Sequence, residues 1–347
     1  MPVFMRFDVV MRYQLLMSIA IVTSIGSVSL TMPSIAGSRF RPFEGRSTSR
    51  LLLSKQPNLV DFPEVGLAIP QPSGFTKATS FYGFEQAATS SSVVLSKIPG
   101  PFSAVTKGFN KETLATRGIS LISKQPIKID NQSGFLLQVS QSAAGQKFLK
   151  WILVFGNEES TTVGVASFLE ENATKIGEPL KQVLLAASPR TSSAPTASSL
   201  PFKITPVAGL SLVTKVSGVG KVALFTKDGN IPTVAPTDPL FVVAPSLGDV
   251  AILDQKSFAT RRISAYPQTD IVAIRSTTEI SIDNLTGWEI VANGRDKQTK
   301  APLAIYQVML FPKQGGYIVI TGIVGDKQSQ IYMPKFKAMA LTYRNSK

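Results

Sequence analysis

Histidine and cysteine are both absent from the 347 residues, so the side chains left to do chemistry are carboxylates, lysines, serines and arginines. That composition removes the Ser-His-Asp triad, the Cys-His pair, histidine-ligated zinc and imidazole acid/base catalysis. A Ser-Lys dyad, paired carboxylates or an all-oxygen metal site stay open. No Ser-x-x-Lys or Gly-x-Ser-x-Gly occurs in the chain. Glu158-Glu159 and Glu170-Glu171 are sequence neighbours that point apart on a strand or helix, and they read as solvated acids rather than a catalytic pair. Lys227-Asp228-Gly229-Asn230 supplies too few oxygen ligands for calcium and reads as a hairpin turn. Gly218-x-Gly220-x-x-Ala223 has the outline of a dinucleotide loop, yet Val222 to Thr226 runs on as a strand where a helix N-terminus is needed. The expectation is a non-enzymatic protein with no catalytic, metal or cofactor residues. An enzyme working by carboxylate or lysine chemistry is the alternative.

Arginine offers binding rather than catalysis. The net charge of +14 divides into +1 on residues 1–36, +4 on 37–59, +1 on 60–188, +2 on 189–203 and +6 on 204–347. The candidate binding surface is therefore Arg39, Arg41, Arg46 and Arg50 on a basic arm, with Arg117 and the pair Arg261-Arg262, each at the end of a predicted helix whose dipole favours a cation. The partners that fit are an unknown protein at the cell envelope or an anionic lipid surface. The bland alternative is lysines on solvated faces that keep a basic protein soluble. Polyanion capture by the C-terminal half requires Lys215, Lys221, Arg261, Arg262, Arg275, Arg295, Lys297 and Lys300 to gather on one face. Nucleic acid is not expected, because no zinc-finger spacing or RNP-type aromatic motif is present.

The elements that must position these groups come in two copies. Ile127-Lys128-Ile129-Asp130-Asn131-Gln132-Ser133-Gly134-Phe135 returns as Ile280-Ser281-Ile282-Asp283-Asn284-Leu285-Thr286-Gly287-Trp288, 153 residues on. Ala115-Thr116-Arg117-Gly118 returns as Ala259-Thr260-Arg261-Arg262. A period of that length is one domain, not a solenoid unit. Each copy predicts a strand (65–69; 210–216), β-branched strands (93–98; 241–245) and a short helix, Lys111 to Arg117 capped by Asn110 or Gln255 to Arg261 capped by Asp254. Strands at 127–129, 134–140, 147–155 and 162–166 follow in the first copy, and at 279–282, 287–292, 301–311 and 316–323 in the second. Asp130-Asn131 and Asp283-Asn284 are turn chemistry, their side chains expected to bond the local backbone. A last helix is predicted to begin at Pro179 and at Pro334. Trp151 and Trp288 read as core or half-buried strand residues.

The chain start is read as a targeting segment: an apolar run from Leu15 to Leu30 leads to Ser34-Ile35-Ala36, a small-x-small cleavage site. Export to the periplasm or medium is expected, with an uncleaved membrane anchor as the alternative. Without cysteine there is neither a disulfide nor a lipid-anchored cysteine. The domain reading is a signal peptide 1–36, a basic arm 37–59, a first domain 60–188, a Ser/Pro linker 189–203 and a second domain 204–347.

Gly66-Leu67-Ala68-Ile69-Pro70-Gln71-Pro72-Ser73-Gly74-Phe75, then Gly134-Phe135-Leu136-Leu137-Gln138-Val139, the strand Phe148 to Phe155 and a closing helix together resemble the PsbP/Mog1-like superfamily. The resemblance implies an α+β fold of two tandem α-β-α sandwich domains with antiparallel sheets, and proteins that bind or assemble rather than catalyse. It covers 60–188 well and 204–345 less well, since Ser217-Gly218-Val219-Gly220 stands where the first copy has Pro-x-x-Gly-Phe. No functional residue carries over, and the histidine metal sites of the photosynthetic branch have no counterpart here.

Overall fold

The computed structural model describes residues 58–346 except 116–117, 144–145, 192–199, 214–220, 232, 247–250, 265 and 267. The leader, the arginines of the basic arm and Arg117 therefore lie outside the described residues.

In the first unit the strands are β1 (Leu59–Phe62), β2 (Leu67–Pro70), β3 (Thr76–Lys77), β4 (Gly83–Gln86), β5 (Ser91–Pro99), β6 (Ile119–Ile129), β7 (Gln132–Ala143), β8 (Gln146–Gly156), β9 (Ser160–Leu169) and β10 (Ser188–Pro189). Its helices are α1 (Phe102–Val105), α2 (Lys111–Ala115) and α3 (Glu178–Leu185). Seven strands make an antiparallel sheet in the order β3-β4-β5-β9-β8-β7-β6. The second unit repeats that order as β12-β13-β14-β18-β17-β16-β15. These strands are β12 (Ser211–Leu212), β13 (Ala223–Thr226), β14 (Leu240–Pro245), β15 (Thr269–Ile282), β16 (Leu285–Asp296), β17 (Pro302–Phe311) and β18 (Ile318–Gly325). Its helices are α4 (Gln255–Ser264) and α5 (Ser329–Leu341), and a pair β11 (Phe202–Lys203) and β19 (Arg344–Asn345) lies outside the main sheet.

Each sheet is covered on both faces, which is why β8 and β17 read as nearly unbroken apolar runs. On one face of the first sheet, Leu180 and Leu184 of α3 pack with Phe84, Leu95, Leu153, Phe155 and Phe168. On the other, Val105, Phe109 and Leu114 from α1, α2 and the turn between them meet Leu137, Val139, Ile152, Val154 and Val165. The second sheet alternates likewise, with Tyr332, Phe336 and Met339 of α5 on Phe241, Tyr306, Val308 and Leu310, and Ala259 and Ile263 of α4 on Ile290, Ile305 and Met309. Both units are α+β, three layers deep, with antiparallel sheets.

Several local expectations need correction. β6 and β15 run to Ile119 and Thr269, far beyond the three or four residues expected, because bulges at Leu121/Ser123, Ile271/Ala273 and Ile274/Ser276 break the alternation that marks a strand. The bulge at Ile122 and the one at Arg275 are equivalent in the two copies, and Pro126 and the bulges blunt these long edges against pairing with another chain. α4 continues through Ser264, and α5 starts at Ser329, so Pro334 lies inside the helix rather than at its first turn. At Pro179 the expectation fits better: proline stands in the first turn of α3, after a π-turn at Ala173–Gly177. The arm's last residue, Leu59, opens a strand that pairs with β2, and Ser188–Pro189 joins the same small sheet.

The repeated Asp-Asn turns close two-residue hairpins, with Asp130 at φ 49° and Asp283 and Asn284 at φ 53° and 61°. Asp283 does not bond its own turn. Its carboxylate accepts the Asn345 N–H at 2.7 Å, pinning the chain end 62 residues away. The repeated glycine that follows is a strand residue, not a turn residue. A Cβ on Gly287 would come within 1.9 Å of the Met309 carbonyl oxygen, and one on Gly134 within 2.8 Å of the Val154 carbonyl oxygen.

Candidate functional site

The predicted helix caps are in place. Asn110 Oδ1 accepts the Thr113 N–H at 2.7 Å, and Asp254 Oδ1 accepts the Ser257 N–H at 3.0 Å. Bonds from Ser257 hold the Asp254 carboxyl below its ordinary range, and the Arg261 charge adds to that. Arg261 and Arg262 lie in the last turn of α4, Arg261 exposed and Arg262 half-buried with its Nε buried and without a hydrogen-bond partner.

The α4–β15 connection is tied to the tip of the β16–β17 hairpin, because the Lys297 N–H donates to the Gln268 carbonyl at 2.9 Å. The hairpin is shaped by Asp296, whose Oδ1 accepts the Thr299 N–H at 2.7 Å and the Thr299 hydroxyl at 2.8 Å. Lys297 and Lys300 each reach within 3.8 Å of the Asp270 carboxylate, and Arg295 of β16 is the register partner of Asp270 on β15. Arg295, Lys297 and Lys300 are thus brought together at one corner, about Asp270; Arg295 alternates along β16 with Ile290, Ala292 and Gly294, which face α4, so it stands on the other face of the sheet from Arg261 and Arg262. These ion pairs are exposed and contribute little stability; the surplus of cations is the feature. Arg275 lies further along the β15 edge, Lys221 precedes β13 at the far side of the sheet, and Lys215 lies outside the described residues. Three of the eight residues singled out for polyanion contact gather.

Behind this corner is a buried network that sequence reasoning missed. Tyr266 hydroxyl bonds Thr321 Oγ1 and donates to Gln307 Oε1 at 3.3 Å, and Gln307 Nε2 donates to the Ala259 carbonyl of α4 at 3.0 Å. Burial pushes the Tyr266 phenol up, opposed by its Thr321 bond and the Arg262 charge. The network ties α4, and so its arginines, to β17 and β18. On the opposite face, buried Glu289 accepts Tyr306 hydroxyl at 2.7 Å and Lys337 Nζ at 3.1 Å, joining β16, β17 and α5. Burial first, and then the Glu289 bond, raise the Tyr306 phenol.

In the first unit the unexpected group is Lys150, which is 0% exposed on β8; burial alone lowers its amine to about 7. Trp151, its neighbour on the other face, donates from Nε1 to the Gly177 carbonyl at 2.9 Å, and Trp288 lies beneath Lys256 at 4.9 Å. Both tryptophans are half-buried strand residues, as read from the sequence. Among the described residues no three carboxylates gather where a cation could be held. The signal available for these buried groups was a polar residue inside an apolar strand, Lys150 in Phe148–Phe155 and Gln307 in Leu303–Phe311.

Neither a family model nor a curated protein matches this chain. Among solved structures, LpqN of Mycobacterium tuberculosis, involved in cell envelope biogenesis, is similar at 13% identity over 42% of this chain and 83% of its own, with a TM-score of 0.32. The cyanobacterial PsbP (CyanoP) of Synechocystis is similar at 16% identity over 38% of this chain and 91% of its own, with a TM-score of 0.30. The T6SS immunity protein TplEi of Pseudomonas aeruginosa is similar at 10% identity over 79% of this chain and 99% of its own, with a TM-score of 0.26.

Proposed function

We propose that this chain is an exported, non-enzymatic binding or assembly protein of the cell envelope, built from two PsbP-like units, whose second unit docks an acidic protein surface on the basic corner. The observation that carries this reading is the gathering of Arg295, Lys297 and Lys300 about Asp270 at the tip of the β16–β17 hairpin. Export is supported by the leader Arg6 to Ala36. Exposed charges of this kind steer encounter and set salt dependence more than they fix affinity, and their reach is about 8 Å at physiological ionic strength.

The test uses the mature full chain and a triple charge reversal, Arg295→Glu, Lys297→Glu and Lys300→Glu, chosen at exposed positions so that folding is spared. Cross-linked capture from an envelope extract, at low and high salt, is compared with binding to vesicles of anionic and of zwitterionic lipid. Loss of one acidic protein from the variant's captured set, at unchanged thermal unfolding, supports the proposal. Identical captured sets from both chains, or binding confined to anionic vesicles, overturn it.

A further inference from the structure

Register across the two sheets allows position-by-position comparison of the units. On the sheet face beneath α2, Ser92 of β5 is directly across from Ser167 of β9, and Ser167 from Lys150 of β8. Residues opposed in this way share a face. Gln141 of β7 and Gln146 at the start of β8 lie one step further along the same face, flanking Phe148. The equivalent positions of the second unit, beneath α4, are Leu240, Ile323, Ile305, Gly294 and Ala301. Five polar residues in one copy thus stand where the other has five apolar ones, and the second sheet closes in the same order. The fold does not require this polarity, and burying a lysine without need is costly.

The second unit's own buried polar set, one row away, satisfies itself through Tyr266, Thr321, Gln307 and the Ala259 carbonyl. Three members of the first unit's set, Ser167, Gln141 and Gln146, stay open. Ser167 is 1% exposed and Gln141 6% exposed, yet Ser167 Oγ and Gln141 Oε1 have no hydrogen-bond partner, and neither has Gln146 Oε1. Buried polar groups in folded proteins are paired, with protein or with ordered water, in the great majority of cases.

We propose that the first unit encloses an internal water site around Lys150, in which ordered water pairs Ser167 Oγ, Gln141 Oε1 and Gln146 Oε1. Water suits these groups: it donates and accepts, so it serves a hydroxyl and two amide carbonyls alike, and it needs only two to four polar partners.

The test is a crystal structure of the full chain at a resolution that shows water, with water-oxygen relaxation dispersion in solution. Long-lived water is compared between wild type and the first-unit variant Lys150→Ile and Ser167→Ile, which copies the second unit. The control is Gln307→Ile with Thr321→Val, which copies the first unit into the second. The expected result is water density within hydrogen-bond reach of Ser167 Oγ and Gln141 Oε1, and loss of about one to three long-lived waters from the first variant alone. Should that variant fail to fold, wild-type density decides. Ser167 and Gln141 bonded to protein, a dry cluster, or a larger molecule in the density each overturn the proposal.

Discussion

Raising the pH from 7 toward 10 should stabilise the first unit, and Lys150 should be the reason. Its amine falls from 10.5 in the unfolded chain to about 7 in the folded one, because burial penalises the charge. Between those values the unfolded chain holds a proton that the folded chain lacks, so stability rises with pH across the window; below 7 both states are protonated and the dependence flattens. The full window is worth about 5 kcal/mol at about 1.36 kcal/mol per unit, of which pH 7 to 9 carries about 2 kcal/mol, the folded amine being half deprotonated already at pH 7. With a urea slope of about 1–3 kcal/mol per molar, the midpoint should move up by about 1–2 M over those two units. Tryptophan fluorescence in a Trp288→Phe background reads the first unit through Trp151, which follows Lys150 on β8. Lys150→Ile should raise the pH 7 midpoint and remove its pH dependence. Lys221, also lowered by burial, acts in the same direction in both chains and cancels in the comparison. A midpoint that rises equally in wild type and Lys150→Ile, or that falls between pH 7 and 9, refutes the argument.

Three further outcomes follow from the second unit. Gln307→Ile removes the tie from β17 to the Ala259 carbonyl and should lower stability by about 1–3 kcal/mol in urea unfolding read through Trp288, since Tyr266 also loses an acceptor. Glu289→Ala should lose about 1–3 kcal/mol by stranding the Tyr306 hydroxyl, whereas Lys337→Ala, at a side chain 54% exposed, should lose less than about 1 kcal/mol; equal losses would show that the ion pair rather than the buried hydrogen bond matters. Gly287→Ala forces a Cβ against the Met309 carbonyl oxygen and should destabilise by about 1–3 kcal/mol, measurable as a lowered urea midpoint.

Local pattern was sufficient where an interaction is local. Asn110 and Asp254 stand in the sequence as helix caps because the bond each makes reaches only three residues ahead. Asp130-Asn131 and Asp283-Asn284 are legible as turns because the required backbone conformation favours those residue types. The long edges β6 and β15 were largely hidden, since bulges interrupt the two-residue period and one side of each strand meets solvent. The start of α5 was misplaced because proline is a first-turn signal only on average, and packing of Tyr332 and Phe336 against the sheet holds the helix on both sides of Pro334.

The sequence by itself determined that the chain is a duplication, that imidazole and thiol chemistry are closed to it, and that its positive charge leans toward the second copy. Composition and repetition need no coordinates. Tertiary structure alone decided that Arg295, Lys297 and Lys300 meet at Asp270, because Asp270 comes beside the hairpin tip only through the pairing of β15 with β16. It also decided that Lys150 lies in the interior and that Asp283 holds the far end of the chain. Burial and cross-strand register are properties of the assembled sheet, and no window of neighbouring residues contains them.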